Sequence, residues 1–286
     1  MGSGGYNFNS RTARIDDLGV MDLSIEQTFK SREIHESMKP ENALLRESRD
    51  SDNHPNSFPI VIGLDVTASM GNIPKHFMDH GLPKIISGLM EVGIPDPQIL
   101  LLGIGDHKSD KSPLQVGQFE SADEEMDMWL ERIWLESGGG GNGGESYKLA
   151  WYYAANHIVT DAFEKRGQKG MIITIGDEAA HDVIPKREIE RIFNGKLNIE
   201  DNDNLKTTAE HKWDLFHINV AGTYNTQYSQ PYWDKELGER VKHIEDINDI
   251  PMIIKHLAVG VYEINNPVVM RGAPVHPNQE DEEIIL

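Results

Sequence analysis

Short uncharged runs alternate along this chain with stretches whose apolar residues recur at helical spacing. The run "FPIVIGLD" (58–65) carries no charge before its last residue, the texture of a strand buried on both faces of a parallel sheet. "QILLLGIGD" (98–106) and "GMIITIGDEAAHD" (170–182) repeat it, and "KWDLFHINVAG" (212–222) predicts a further strand. "SPLQVGQF" (112–119) fits an edge strand. Between these runs the spacing predicts helices over 73–94, broken or kinked at Gly81-Leu82-Pro83, over 121–135 with Ser121 as N-cap, over 147–165, over 185–193, around 232–240, and over 247–264. Strand and helix alternate throughout. The expected fold class is therefore α/β, a doubly wound and mostly parallel sheet with helices on both faces.

The flanks read differently. Residues 1–56 are polar and glycine-rich with mixed charge, expected to form an extension that packs on the domain in places, with a helix somewhere between Met21 and Met38. The domain is expected over 57–264, and 265–286, ending "QEDEEIIL", reads as an acidic, flexible tail. Residues 194–211 form a polar insertion whose "DNDN" lacks the glycine and final glutamate of an EF-hand loop.

Composition narrows the function. With 47 acidic against 27 basic residues, the formal charge is -20. Nucleic acid and anionic membranes are poor partners for such a surface, whereas a cation or a basic protein face suits it. The chain has no cysteine, which removes disulfides and thiolate metal sites and suits a cytoplasmic protein. No apolar run reaches the ~20 residues of a membrane span. The opening "MGSGGYNFNS" has neither a signal-peptide core nor, with Tyr6 where Ser or Thr is preferred, a good myristoylation signal.

Three predicted strands end in aspartates: Asp65, Asp106 and Asp177. Open α/β sheets bind ligands beyond the carboxyl ends of their strands, near the point where strand order reverses. The turn "DVTASM" adds the hydroxyls of Thr67 and Ser69 to Asp65, an oxygen-only set that suits a hard divalent cation. Asp106 reads as a turn or outer-shell residue. His107 and His181 read as structural or solvent-facing histidines, because no helical His-x-x-x-His spacing joins them to a metal site.

These motifs resemble the metal-ion-dependent adhesion site of the von Willebrand factor A (vWA) family. "DVTASM" is similar to that family's Asp-x-Ser-x-Ser, with Thr67 in the middle position. "SGGGGNGGESYKLA" stands where the family has its second metal loop, and "IITIGDEAAHD" where it has its last metal-site aspartate; the likeness spans about residues 58–262. The resemblance implies a site for Mg²⁺, or Mn²⁺ or Ca²⁺, made by Asp65, Thr67, Ser69 and Asp177. The second loop departs from the family pattern by lacking a Thr. Relatives with a Gly-Gly-Gly-Asp-x-Pro-Glu loop place Glu145 at the metal, with Asn142 or Ser146 as lesser substitutes. It also implies a non-enzymatic adaptor that binds a protein presenting Asp or Glu to the metal, an AAA+ ATPase being one partner class.

Two alternatives stand beside it. Haloacid-dehalogenase-type phosphohydrolases also place an aspartate after the first strand, and "GDEAAHD" matches their later Gly-Asp-x-x-x-x-Asp through Asp177 and Asp182. Against this, a second Asp is missing at position 67 and no basic residue stands at an intermediate strand end. The other alternative is self-assembly, with the tail or extension of one copy reaching another.

Overall fold

The computed structural model describes residues 24–136, 143–195, 204–222 and 224–267. Its centre is a mixed sheet of six strands: β2 (Phe58–Asp65), β3 (Pro97–Ile104), β4 (Leu114–Glu120), β6 (Gly170–Gly176), β7 (Trp213–Val220) and β8 (Val241–Ile244). The order is β4-β3-β2-β6-β7-β8, parallel except for β4, which runs antiparallel at one edge as the sequence suggests. The chain thus builds outward from β2 in one direction, then returns beside β2 with β6 and builds outward in the other.

Every residue of β2, β3 and β6 is buried, which accounts for their unbroken apolar texture. Side chains alternate between faces along a strand. Ile60, Ile62 and Leu64 join one apolar cluster with α3 (Leu82–Glu91) and α10 (Ile250–Asn265). Val61 joins a second cluster with α5 (Lys148–His157), α8 (Leu205–Glu210) and α9 (Thr226–Leu237). By the same parity Asp65 falls on the α5 side.

Several local expectations need correction. Of the break or kink expected at Gly81-Leu82-Pro83, the structure shows an irregular turn and no break. Helix α2 (Ile73–His76) runs through one π turn, Phe77–Gly81, into α3, and the Leu82 N–H bonds back five residues to the Phe77 carbonyl. A wider turn absorbs the hydrogen bond that Pro83 cannot donate. Ser121 is not the cap of α4 (Asp123–Glu131), which starts after Ala122 without a side-chain cap. The long helix expected over 147–165 is two helices, α5 and α6 (Asp161–Arg166), separated by β5 (Ile158–Thr160). Three consecutive β-branched residues there favour extended backbone.

That short strand explains how the N-terminal extension is held. β1 (Arg46–Ser48) pairs with it in parallel. Tyr153 Oη donates to the Ala43 carbonyl (2.5 Å), Ser48 Oγ to Gln98 Oε1 (2.7 Å), and Arg166 pairs with Asp50 (2.6 Å). Between Met21 and Met38 the described residues form the single-turn helix α1 (Ile25–Thr28), closed by a Ser24–Gln27 capping box, and a 3-10 turn, Glu36–Met38. The remaining extension, 1–23, the tail 268–286 and "DNDN" up to residue 203 lie outside the described residues. Among the described residues no helix is long and apolar enough to cross a membrane.

Two glycines separate packing from backbone effects. A Cβ on Gly176 would lie 1.8 Å from Tyr147 Oη, whereas one on Gly260, inside α10, meets nothing within 4 Å. Gly176→Ala should lower unfolding free energy by about 1–3 kcal/mol through overpacking, and Gly260→Ala should raise it by about 0.5–1 kcal/mol. Urea denaturation of the two variants checks the opposite signs.

Candidate metal centre

Strand register assembles the centre. Asp65 pairs with Ile104 of β3 and stands one residue beyond the Leu64–Ile175 pair with β6. Asp106 and Asp177 follow just past those partners, so all three strand-end aspartates reach one edge of the sheet. The loop before α5 closes over them through backbone bonds: Glu145 N–H to the Ala179 carbonyl (2.8 Å), His181 N–H to the Glu145 carbonyl (3.0 Å) and Ser146 N–H to the Gly105 carbonyl (3.1 Å).

Asp65 is fully buried. Its Oδ1 accepts from the Thr67 N–H (2.9 Å) and Thr67 Oγ1 (2.6 Å), and its Oδ2 accepts from Tyr147 Oη (2.5 Å). Ser69 Oγ, on the turn Ala68–Met70, donates to Asp177 Oδ1 (2.9 Å), and Asn225 Nδ2 reaches Asp177 Oδ2 at 3.4 Å. The structure therefore brings Asp65, Thr67, Ser69 and Asp177 together in one hydrogen-bonded chain. Asp65 and Asp177 form its buried base, while Thr67 is half-buried and Ser69 exposed at its mouth. Thr67 Oγ1 and Ser69 Oγ stand 3.2 Å apart. Either hydroxyl can donate to the other, so the pair links the two carboxylates through a continuous set of oxygens.

Glu145 lies alongside, 3% exposed. Its Oε2 is buried without a hydrogen-bond partner. Burial, then the neighbouring charges of Asp65 and Asp106, push its carboxyl well above the ordinary range. Asp65 is raised as well: burial outweighs the hydrogen bonds from Thr67 and Tyr147, and the Asp177 charge adds to it. Burial, then the Asp65, Glu145 and Asp177 charges, hold the Tyr147 hydroxyl well above its usual value. The donor set fits a hard divalent cation on three grounds. It consists of oxygens alone. The orphaned Glu145 Oε2 lacks a partner that a cation would provide. And the 3.2 Å hydroxyl separation is close to the edge of about 3 Å expected for octahedral oxygens about 2.1 Å from Mg²⁺.

Of the lesser substitutes, Asn142 lies outside the described residues, as do Ser137 to Gly141 of the glycine run. Ser146 turns to His107 instead, its Oγ accepting from the His107 N–H (2.8 Å). Sequence reasoning missed Tyr147 and Asn225. Tyr147 sits at the N-cap of α5 and looks like any core aromatic; the signal for it is its place two residues after Glu145. It missed too that His181 Nε2 lies 2.7 Å from Asp106 Oδ1, tying the loop after β6 to the loop after β3.

Glu145→Gln tests the electrostatics. A carboxyl whose folded pKa is raised destabilises the fold as pH climbs above its unfolded value, here the ordinary 4.5. The amide is neutral and offers donors to Asp65 and Asp106. The metal-free variant should melt higher than wild type at neutral pH, with the gap closing toward pH about 4.5, and should bind Mg²⁺ more weakly. Thermal melts at two pH values, with and without Mg²⁺, read both signs.

No family model matches the chain, and comparison with curated proteins also finds no match. Among solved structures, the chain is similar to the open conformation of the pilus adhesin SpaC from Lactobacillus rhamnosus GG, with TM-score 0.51 and 9% identity over 77% of this chain and 31% of the adhesin. Proximal thread matrix protein 1 from the mussel byssus aligns with TM-score 0.45 and 8% identity over 72% of this chain and 48% of that one. The chain spans about a third to a half of these solved chains, and the likeness to SpaC concerns the fold alone.

Proposed function

We propose that the chain is a vWA-type domain, doubly wound, that binds a divalent cation at the edge shared by β2 and β6 and uses it to bind another protein. One observation carries this reading: the Thr67 and Ser69 oxygens lie 3.2 Å apart, each also within hydrogen-bond distance of a buried carboxylate, Asp65 or Asp177. Asp65 and Asp177 orient the hydroxyls and carry balancing charge, and Glu145 supplies the further carboxylate. A bound Mg²⁺ would supply an electrophilic point charge that attracts a carboxylate from outside. The family resemblance supports a partner presenting Asp or Glu, with AAA+ ATPases as one class; the adhesin neighbour adds fold-level analogy only.

The rim suits a protein partner. Tyr224 is 79% exposed and Tyr228 60% exposed, their rings 6.2 Å apart. Between them stands Asn225, whose amide reaches Asp177. Val183, 71% exposed, ends the neighbouring strand-end loop. Exposed aromatics beside a charged anchor are the residues that carry binding energy in protein interfaces. The phosphohydrolase alternative is less well supported, since Asp182, the second aspartate of its motif, is exposed.

Calorimetric titration should show Mg²⁺ binding to the wild type and its loss in Ser69→Ala and Asp177→Ala. Proteins retained from a cell extract with Mg²⁺ should be released by EDTA. Tyr228→Ala should weaken that retention by about tenfold, a hot-spot loss, with Mg²⁺ affinity unchanged. Purified protein should not turn over a generic phosphoester; turnover that Asp65→Asn abolishes would replace this reading with the phosphohydrolase.

A further inference from the structure

Beside the oxygen-rich centre lies a constellation of different chemistry. A carboxylate oxygen of Asp106 and one ring nitrogen each of His107 and His181 all fall within 4.8 Å of one another. All three side chains are buried, at 1%, 5% and 7% exposure. His181 Nε2 is 2.7 Å and His107 Nδ1 3.9 Å from the same oxygen, Asp106 Oδ1. These separations bracket the edge of about 3.3 Å between ligands of a tetrahedral ion bound at about 2.0–2.1 Å.

The three residues are held in place. Asp106 accepts from the Lys108 N–H (3.0 Å) and Ser109 Oγ (2.9 Å), and its own N–H is fixed by Asp110 (2.7 Å). His107 is fixed through its backbone N–H to Ser146 Oγ (2.8 Å), which also lies 2.7 Å from His107 Nδ1 and would yield that nitrogen to an ion by turning away, and His181 is fixed through its backbone N–H to the Glu145 carbonyl. The two imidazoles meet edge to face at 4.9 Å. The Glu145 backbone, bonded to Ala179 and His181, fixes the loop that carries His181.

We propose that Asp106, His107 and His181 form a second cation site, beside the oxygen-rich centre, which takes an imidazole-preferring divalent ion such as Zn²⁺. Imidazole suits Zn²⁺ and its neighbours in the transition series, whereas Mg²⁺ keeps to oxygen. The two sites therefore sort ions by chemistry rather than compete for one.

Lys108 explains how the chain stands without the ion. Its Nζ lies 3.1 Å from His181 Nδ1. An ammonium only donates, so Nδ1 accepts and Nε2 carries the proton toward Asp106. Lys108 is thus the resident positive charge. An ion taken up through Nε2 replaces the proton there; that proton moves to Nδ1, and the Lys108 ammonium, on an exposed residue, swings to solvent.

The test uses the full chain with Mg²⁺ saturating the oxygen site and Co²⁺ as the spectroscopic stand-in for Zn²⁺. One equivalent of Co²⁺ should develop visible ligand-field bands that Zn²⁺ abolishes, and proton NMR of the same sample should show exchangeable imidazole N–H signals shifted by the paramagnet. His107→Gln and His181→Gln should lose the bands, and Ser69→Ala should keep them. Lys108→Gln should tighten Co²⁺ binding about tenfold. Absence of bands or of shifted N–H signals in the wild type overturns the proposal, whether or not the histidine variants fold. So does a spectrum lost in Ser69→Ala but kept in His181→Gln. None of these readouts depends on partner binding.

Discussion

Carboxylates taken out of water at one end of a sheet are the constraint on which this structure turns. Asp65, Asp106, Asp110, Glu145 and Asp177 are each at most 5% exposed. Desolvating an anion is expensive unless opposite charge or hydrogen bonds compensate. For Asp65 and Asp177 the compensation is neutral donors: two hydroxyls, a phenol, a backbone N–H and an amide. For Glu145 even that is incomplete. Hydrogen bonds to charged groups contribute about 1.5–3 kcal/mol each, enough to hold the carboxylates in place but not to cancel their mutual repulsion. A cation bound among these carboxylates would offset that repulsion.

The sheet makes this arrangement by register and parity. A parallel ladder brings successive strand ends to the same level, and the period of two decides which side each end residue faces. Asp65 therefore turns toward α5, where Tyr147 meets it. The approach requires Gly176, because any side chain there would occupy the phenol's place. Backbone choice in β6, ring position on α5 and carboxylate orientation on β2 are one decision made in three parts of the chain.

Much of this was legible in the sequence. Uncharged runs ending in aspartate located β2, β3 and β6 and the sheet edge where Asp65, Asp106 and Asp177 gather, and the spacing placed the Thr67 and Ser69 hydroxyls in the turn beside Asp65. What escaped was whatever depends on contacts between distant segments. The break in the 147–165 helix is set by pairing with Arg46–Ser48, and a strand so short has no period to read. The π turn is set by Pro83, whose local signal is equally consistent with a break. The two histidines lacked helical ligand spacing because they sit on loops after different strands, and only the fold makes them neighbours of Asp106.

The excess negative charge of the chain bears on what such a face can bind. At a charge of -20, an acidic partner is repelled at range, but the repulsion is screened beyond about 8 Å at physiological ionic strength. Within that distance the local charge decides. Without a cation, buried carboxylates sit behind exposed hydroxyls, and a second carboxylate has nothing to meet. With one, a positive charge stands at the mouth, flanked by Tyr224 and Tyr228. A protein carboxylate reaching a bound cation would dock best from a surface that is otherwise basic or apolar, which this acidic chain does not repel. The same charge that makes nucleic acid a poor partner would thus narrow the protein surfaces able to dock.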